Sequence, residues 1–532
     1  MITHTPITRY DSKGSHQVQD PVVCETHANL IINGLPYLSV MCLPQHLEEW
    51  AVGFMFSEGL IKTFAEVKSV KATHDGDVFV ATHQPIITNK TEKRVLVSGC
   101  AHGTVNMAFL NQANLPHLEE AHTLSYNEIT EIMERFNKQS PIFNEAGGVH
   151  SAALHFKSGN GLFFEDIGRH NAVDKVIGAA LMENLPLNQG ALLTSGRIST
   201  EIALKAIRAG VPFVISRSGP TSMSLAVAQK ANMTLVGFAR GRRFNVYCGK
   251  FRITKSGKGG ADNDTNSILN HGKAHFENAL KPAIFKISFS MFRIGIGMIN
   301  KEPITRFDST GSKRKDDAVV RELRANLIIN GELYLSMMCL PQHMEEMAVG
   351  FMFAEGLIKH FADIEKIEAT CTGNIFVFTH KPINRPPAGD EDLGQLDGTQ
   401  SLTYREIVDM MHSFNNQSPI FNEGGGVHFA ALRFKNGDDV FYEDVGRHNA
   451  VDKVIGTALM RDLPIKEGVL LISGRISTEI VLKTARLGIP VLISQSGPTT
   501  VSLALAQKVN MTLVGFARGL RFNVYAGGFR VT

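Results

Sequence analysis

Apolar residues along the chain recur at two different spacings, and each spacing predicts a different element. In LPQHLEEWAVGFMFSEGLI, the apolar positions from Leu47 to Phe54 follow Pro44 at helical spacing, which predicts a helix beginning near Pro44. Short apolar runs such as DVFVATH and RVLVSG are typical of strands. Ser125 is followed three residues later by Glu128, which is the pattern of a capping box and predicts another helix.

From residue 150 onward, short apolar runs alternate with amphipathic ones. The predicted strands are HSAALHF, LFFED, ALLTSG, PFVIS and MTLVGFA, and the predicted helices are NAVDKVIGAALMEN, STEIALKAIRAG and SMSLAVAQKAN. Such alternation favours a parallel layer covered by helices, and therefore a three-layer α/β/α core. The leading strands are expected to add an antiparallel portion.

The second half of the sequence nearly repeats the first. MITHTPITRYDS returns as MINKEPITRFDS, and FEDIGRHNAVDKVIG returns as YEDVGRHNAVDKVIG. Asn29 matches Asn326 at an offset of 297 residues and His170 matches His448 at an offset of 278, so copy two lacks 19 residues in between. We interpret the chain as a tandem duplication, with copy one at residues 1–253, a linker at 254–297 and copy two at 298–532.

Composition narrows the class of protein. With 532 residues, 43% of them hydrophobic, and a formal net charge of +3, the chain is ordinary globular material without a basic field for nucleic acid. Its six cysteines lack the density of a disulfide framework, which favours a reducing compartment. The polar N-terminus lacks the apolar region of a secretory signal, and the apolar part of the linker is too short to span a bilayer. We therefore expect a cytoplasmic protein without membrane contact.

Three loops that follow apolar strands in copy one carry glycine and arginine. In TSGRIST, SRSGPTS and FARGRR, the first two loops lead into helices that begin with Ser or Thr. Ligands of open α/β sheets bind beyond the carboxyl ends of the strands, where a helix N-terminus favours an anion. We therefore expect one phosphate-binding crevice formed by Arg197, Arg217, Arg240, Arg242 and Arg243. The alternative is that these are surface turns with solvated arginines. The chain has neither a GxGxxG after a strand nor a Walker lysine, which disfavours ordinary nucleotide enzymes.

A second polar cluster lies in FFEDIGRHNAVDK, between a strand and a helix. It contains Glu165, Asp166, Arg169, His170, Asn171 and Asp174. One interpretation is structural, with Asp166 or Asn171 capping the helix and His170 hydrogen bonded inside the fold. The other makes His170 a ligand-facing acid, base or phosphate-binding group.

The stretch VLVSGCAHGTVN places Cys100 between glycines where an apolar run ends, and copy two lacks this stretch. A single accessible thiolate can act as a nucleophile, and His102 would lower its pKa. The remaining cysteines fit the pattern of small buried hydrophobic residues: Cys24, Cys42, Cys248, Cys339 and Cys371. A metal site built from Cys100, His102 and His170 is a weaker alternative, because no CxxC, HExxH or HxH motif accompanies them.

The combination of EDIGRHNAVDK, LTSGRISTE, SRSGPTS and NMTLVGFARGRRFNVY resembles the formate dehydrogenase accessory protein family, also called the FdhD/NarQ family. Both copies match over most of their length. The resemblance implies a core like that of the cytidine deaminases without their zinc site. It also implies a cytoplasmic sulfurtransferase that carries sulfur from a cysteine desulfurase to the molybdenum or tungsten bis-molybdopterin guanine dinucleotide cofactor of formate dehydrogenase.

By this resemblance, Cys100 is the persulfide-carrying cysteine. The guanine dinucleotide would contact the segment from Phe238 to Arg243, which consists of Phe238, Ala239, Arg240, Gly241, Arg242 and Arg243. Many members of the family carry CxxC in the cysteine loop, whereas here the second position is Gly103. Family members are expected to be homodimers, so the two copies are predicted to pair with each other or through a second chain.

The two copies differ at the residues that carry the expected chemistry. Copy two lacks the cysteine loop and has Gln495 in place of Arg217 and Leu520 in place of Arg242. We therefore expect copy one to be catalytic and copy two to be a scaffold with a weakened anion site. A non-enzymatic chaperone that binds and delivers the cofactor is the alternative function, and only the sulfurtransferase requires Cys100.

Overall fold

The computed structural model describes residues 1–86, 94–95, 115–119, 122–159, 161–254, 297–383, 393–396 and 400–532. We refer to residues 1–254 as the first half and to residues 297–532 as the second half. The predicted catalytic residues Cys100 and His102 lie outside the described residues, as does most of the predicted linker.

The described helices and strands of the first half follow the predicted alternation. The strands are β1 (Ile2–Asp11), β2 (Gly14–Val23), β3 (Thr26–Ile32), β4 (Leu35–Cys42), β5 (Val67–Ala72), β6 (Asp77–Thr82), β7 (Arg94–Val95), β8 (Leu124–Ser125), β9 (His150–Phe156), β10 (Gly161–Asp166), β11 (Gly190–Thr194), β12 (Phe213–Ser216), β13 (Thr234–Arg240), β14 (Arg243–Cys248) and β15 (Ile253–Thr254). The helices are α1 (Leu47–Glu58), α2 (Tyr126–Lys138), α3 (Pro141–Ala146), α4 (Arg169–Met182), α5 (Thr200–Arg208) and α6 (Ser222–Lys230).

The second half has a closely similar order of elements. Its strands are β16 (Ile299–Asp308), β17 (Gly311–Val320), β18 (Leu323–Ile329), β19 (Glu332–Cys339), β20 (Ile364–Ala369), β21 (Asn374–Thr379), β22 (His428–Arg433), β23 (Val440–Asp444), β24 (Val469–Ile472), β25 (Val491–Ser494), β26 (Thr512–Arg518) and β27 (Arg521–Ala526). Its helices are α7 (Met344–Ala354), α8 (Tyr404–Asn416), α9 (Pro419–Gly424), α10 (Arg447–Met460), α11 (Thr478–Arg486) and α12 (Thr500–Lys508).

Each half contributes most of one large mixed sheet. In the first half, β11, β12 and β13 are parallel, whereas β9, β10 and β14 pair antiparallel to their neighbours. Alternate residues of these strands face opposite sides. Leu192 and Val214 pack in the cluster of α1, α4, α5 and α6, whereas Leu193 and Ile215 pack against α2. Helices therefore cover both faces, and the fold is mixed α/β with the antiparallel pairs at the sheet edges.

The N-terminal hairpins are exchanged between the halves. The hairpin β1–β2 extends the sheet of the second half, where Thr8 pairs with Val524 on β27. Reciprocally, β16–β17 extends the sheet of the first half, where Phe307 pairs with Phe244 on β14. Each eight-stranded sheet therefore contains strands from both halves. The boundaries 1–253 and 298–532 stay a prediction of where each copy begins and ends.

A close helix crossing joins each large sheet to a smaller one, which is formed by β3–β7 in the first half and β18–β21 in the second. In the first half, α1 crosses α4 at Gly53 and Gly178. A β-carbon at Gly53 would lie 1.9 Å from the carbonyl oxygen of Asp174, so only glycine permits this approach. Gly350 and Gly456 make the same contact in the second half.

Two local predictions were wrong. Helix α1 begins at Leu47 rather than near Pro44, because His46 adopts a left-handed backbone conformation with φ of 57° and interrupts the helix. Cys42 and Cys339 are buried, as predicted, but Cys371 is exposed and Cys24 and Cys248 are half-buried. The capping box was predicted correctly, since Ser125 Oγ accepts from the amide of Glu128 at 3.2 Å.

Candidate cofactor-binding site

The loops after the three parallel strands of the first half are hydrogen bonded to one another. The Nε of Arg240, at the end of β13, donates to the carbonyl oxygen of Arg217 in the loop after β12 at 2.9 Å. The amide of Phe238 donates to Ser218 O at 3.1 Å, and the amide of Ile198 donates to Gly219 O at 3.1 Å. The carboxyl ends of β11, β12 and β13 therefore form one connected surface, as parallel strands require.

Phe238 has an unusual backbone conformation on this surface. Its φ is +50°, a left-handed value that is rare for an aromatic residue, and it lies in a bulge where the pairing of β13 with β14 shifts register. The bulge turns the ring onto Gly219, where a β-carbon would lie only 2.9 Å from the ring. Phe238 is half-buried, while its neighbour Ala239 points into the core behind the sheet.

The turn after β13 presents charge to solvent. Arg240, Gly241, Arg242 and Arg243 are all exposed, and Gly241 has a φ of +56° that suits glycine. The hydroxyl of Tyr126 on α2 donates to the carbonyl oxygen of Arg242 at 2.8 Å. This bond holds the turn against a helix, while the three arginine side chains of the turn are exposed.

Arg217 is half-buried beside this turn. Its guanidinium lies 5.9 Å from the ring centroid of Phe143 on α3, which is within range of a cation–π interaction. Burial, together with the nearby charge of Arg240, lowers the pKa of Arg217. The guanidinium remains charged at neutral pH, so a phosphate would relieve repulsion between two cations that share a small surface.

Arg197 has a different position from the one the sequence suggested. It is only 8% exposed, and it donates to the carbonyl oxygens of Gly426 and Val445 in the second half. Arg475, its counterpart, donates to Gly148 O and Ile167 O in the first half. The structure thus groups Arg217, Arg240, Arg242 and Arg243 and places Arg197 in the contact between the halves. Its role as a cofactor ligand stays a prediction.

The N-termini of α5 and α6 already receive an anion from the protein itself. The carboxylate of Glu322, next to the exchanged hairpin of the second half, accepts from the hydroxyls of Thr200 and Thr221 at 2.7 Å each. It also accepts from the amide of Thr200 at 3.3 Å. The expectation that these helix starts are open to a ligand is therefore wrong, because Glu322 takes that position. Glu25 makes equivalent contacts with Thr478 and Thr499 in the second half.

His170 lies at the start of α4 with 23% of its side chain exposed. Its Nε2 is 2.7 Å from a carboxylate oxygen of Glu201 and 3.4 Å from the hydroxyl of Ser199. Burial, with a contribution from Arg169, lowers the pKa of His170 to about 4 even though Glu201 opposes the shift. His170 is therefore a neutral imidazole at pH 7 that donates to Glu201, which fits the structural interpretation and leaves its role toward a ligand a prediction.

The other polar residues of EDIGRHNAVDK hold the fold together. Asp166 pairs with Lys175 at 2.8 Å and accepts from the side chain of Asn171 at 3.0 Å, all in the interior. Asp174 pairs with Lys205 at 2.6 Å. Because buried charges require partners, these pairs account for much of the polar pattern without any ligand.

The corresponding surface of the second half keeps the framework and loses charge. Phe516 has a φ of 49° and packs on Gly497, and Arg518 Nε donates to Gln495 O at 2.9 Å. Gln495, however, donates its side-chain amide to Asn415, and Leu520 is 59% exposed at the tip of the turn. The two substitutions therefore replace cations with a neutral amide and an apolar side chain at one surface.

Within the described ranges, no group of three or more His, Cys, Asp or Glu side chains is arranged to hold a metal ion. Among the same residues, no helix combines the length and apolar character needed to cross a membrane.

Sequence reasoning missed several residues that shape this site, above all Glu322, Phe143, Gly425 and Gly426. Phe143 and the two glycines belong to the segments SPIFNEAGGVH and SPIFNEGGGVH, which occur once in each half. The repetition of two adjacent glycines was the available signal for a close backbone contact. Glu322 carried no such signal, because it lies about a hundred residues from the helix starts it caps.

Comparisons with known proteins agree with the resemblance seen in the sequence. A sequence model of the FdhD/NarQ family matches residues 23–254, 320–389 and 387–532. The chain is 36% identical to "Sulfur carrier protein FdhD" of Wolinella succinogenes over 246 residues, which cover 46% of this chain and 86% of the relative. It is 33% identical to the protein of that name from Listeria monocytogenes over 265 residues, or 48% of this chain and 99% of the relative.

A crystal structure from Desulfotalea psychrophila, provisionally described as a formate dehydrogenase accessory protein, is also similar. It shares 31% sequence identity at a TM-score of 0.41, and the match covers 44% of this chain and all of the other. Since the family model matches repeated segments across most of the sequence, this chain belongs to the FdhD/NarQ family.

Proposed function

We propose that this protein is a sulfurtransferase of formate dehydrogenase maturation, which carries sulfur as a persulfide on Cys100 to a bis-molybdopterin guanine dinucleotide cofactor. The observation that carries the proposal is the arginine surface around Phe238. Four guanidinium groups lie on two loops that are hydrogen bonded to each other, at the carboxyl ends of parallel strands. Such an arrangement suits a ligand with more than one phosphate, and each arm of this cofactor has a diphosphate.

In the loading step, the thiolate of Cys100 attacks the outer sulfur of a persulfide on a cysteine desulfurase. A new sulfur–sulfur bond forms at Cys100, the old one breaks, and the desulfurase cysteine leaves as a thiolate. The step needs one accessible thiolate, so the absence of a second cysteine at Gly103 does not prevent it. His102 would favour loading by stabilising that thiolate. The cofactor, with molybdenum or tungsten, is then the acceptor and the cargo.

The same proposal includes a cytidine deaminase-like core in each half, a tandem duplication of one ancestral domain, and a cytoplasmic location. The two halves would act as a pseudo-dimer. Support comes from the matching element order, from the reciprocal exchange of hairpins, and from the contacts of Arg197 and Arg475 across the halves. Formate dehydrogenase is the proposed recipient of the sulfurated cofactor, in line with the names of the relatives.

Intact-protein mass spectrometry after incubation with a cysteine desulfurase and free cysteine tests the loading step. We expect one added sulfur, removed by a reducing agent, that maps to Cys100. Cys371→Ala is the matched control, because Cys371 is the exposed cysteine among the described residues. A persulfide that disappears in Cys371→Ala but persists in Cys100→Ala would contradict the proposal. No persulfide at all would favour a non-enzymatic cofactor chaperone.

A further inference from the structure

Phe238 and Arg197 of the first half contact a glycine turn of the second half. The turn consists of Gly425 and Gly426, directly after α9, which adopt φ values of +60° and +68°. A β-carbon at Gly425 would lie 4.0 Å from Cε1 of Phe238, and one at Gly426 would lie 3.4 Å from Cδ of Arg197. Arg197 also donates to the carbonyl oxygen of Gly426. Two predicted cofactor residues of the first half thus contact one turn of the second.

The reciprocal contact repeats this geometry. A β-carbon at Gly147 of the first half would lie 3.6 Å from Cε1 of Phe516, and one at Gly148 would lie 3.6 Å from Cδ of Arg475. Arg475 donates to Gly148 O, just as Arg197 donates to Gly426 O. The contact between an aromatic ring of one half and a glycine turn of the other therefore occurs twice in the fold, with similar geometry.

We propose that each nucleotide site is composite, with the arginine turn supplied by one half and the glycine turn supplied by the other. The inference rests on the proposed function and deepens it. The guanosine diphosphate portion of the cofactor binds in the first half against Phe238 and the neighbouring arginines, and the turn at Gly425 and Gly426 of the second half forms the facing wall. Because residue 425 is glycine, the turn approaches the edge of the Phe238 ring and borders the site. Asn422 and Glu423, in the last turn of α9, are exposed next to this turn.

In a composite site, the second half contributes to nucleotide binding even though it lacks the cysteine loop. Its own arginine surface has lost two cations, yet its glycine turn completes the more strongly charged site of the first half. Removal of the second half would therefore impair the first-half site directly. Pairing through the exchanged hairpins fixes the position of the turn, because Gly424 packs against Val320 and Ala318 of β17.

The test uses the full chain and guanosine diphosphate as the probe. Gly425→Asn adds a side chain beside Phe238 with little backbone strain, because asparagine tolerates a positive φ. We expect calorimetry to show at least tenfold weaker binding at the first-half site. Gly147→Asn makes the same change beside Phe516 and should leave that site unchanged. Gly437→Asn, at a φ of +85° with open space around it, controls for the substitution itself.

Amide hydrogen exchange supplies a readout that needs no variant. At a guanosine diphosphate concentration that saturates only the tighter site, peptides spanning 421–427 and 238–243 should both gain protection. Protection confined to 238–243, together with Gly425→Asn binding within twofold of the unaltered protein, would overturn the composite site alone. If the unaltered protein does not bind guanosine diphosphate, the proposed function fails as well, and the two failures are thereby distinguished.

Discussion

The two halves share a framework and differ at the surface where chemistry is expected. The buried pair Asp166–Lys175 at 2.8 Å has its counterpart in Asp444–Lys453 at 2.7 Å. By contrast, the exposed Arg242 of the first half is replaced by the exposed Leu520 in the second half. The second half also lacks the cysteine loop. Much of the near-identical motif EDIGRHNAVDK is therefore explained by shared buried pairs, whereas the proposed cysteine and two of the proposed arginines lie at positions that differ. Under the proposed function, the sequence similarity of the two halves does not indicate which half carries out sulfur transfer.

The largest effect is expected from removing the Cys100 thiol, whose loop the second half lacks. Cys100→Ala should abolish maturation of formate dehydrogenase in cells deleted for the native protein, because no cysteine in the second half occupies the equivalent loop. Dehydrogenase activity in extracts is the measurement, with thermal unfolding to confirm that the variant folds. Full activity of Cys100→Ala would mean that the halves differ in nucleotide binding only and would favour the chaperone function.

The shared framework predicts equal losses of stability in the two halves. Lys175→Met and Lys453→Met each leave a buried aspartate without its ion-pair partner, which typically costs about 3–5 kcal/mol. Both variants should lower the midpoint of urea unfolding of the full chain, followed by circular dichroism. Lys138→Met breaks an exposed pair with Glu134 and serves as the control, with little expected change. A large loss in only one half would show that the two frameworks are not equivalent.

Exchanging the surface charges should exchange the nucleotide affinities. Arg217→Gln with Arg242→Leu gives the first half the residues of the second, and losing two charge-assisted contacts of about 1.5–3 kcal/mol each weakens guanosine diphosphate binding by a hundredfold or more. Gln495→Arg with Leu520→Arg should strengthen the weaker site. Calorimetry on the full chain measures both, because the exchanged hairpins make isolated halves incomplete. An unchanged affinity in the first variant would mean that these arginines face solvent.

Local sequence patterns predicted the elements and the grouping of the loops, because strand ends and helix caps depend on residues close in sequence. Ser125 and Glu128 are an example. The contact of Arg240 with Arg217 instead follows from the parallel strands, whose carboxyl ends lie at one edge of the sheet. The exchange of β1–β2 and β16–β17 was not predictable, because a hairpin presents the same backbone groups and apolar pattern to either sheet. The burial of Arg197 could not be predicted from the sequence for a related reason. Its Gly-Arg loop resembles that of Arg217, and only the position of the second half distinguishes them.

The smallest expected effect concerns the pH dependence of stability through His170. Its pKa is lowered to about 4 in the folded chain, mainly by burial, against about 6.5 for an unfolded histidine. The unfolded state therefore binds more protons between these values. His170 thus contributes stability that is fully present above pH 6.5 and is lost as the pH falls toward 4.

Wild type should lose on the order of 2–3 kcal/mol more than His170→Gln between pH 7 and pH 4, as measured by urea unfolding at each pH. His4→Gln, which alters an exposed histidine, provides the matched control and should follow wild type. Parallel pH profiles for wild type and His170→Gln would show that His170 is not held neutral by its buried position beside Glu201. The acid or base role would then return as the better interpretation, since an imidazole that titrates near neutral pH can exchange protons with a ligand at the start of α4.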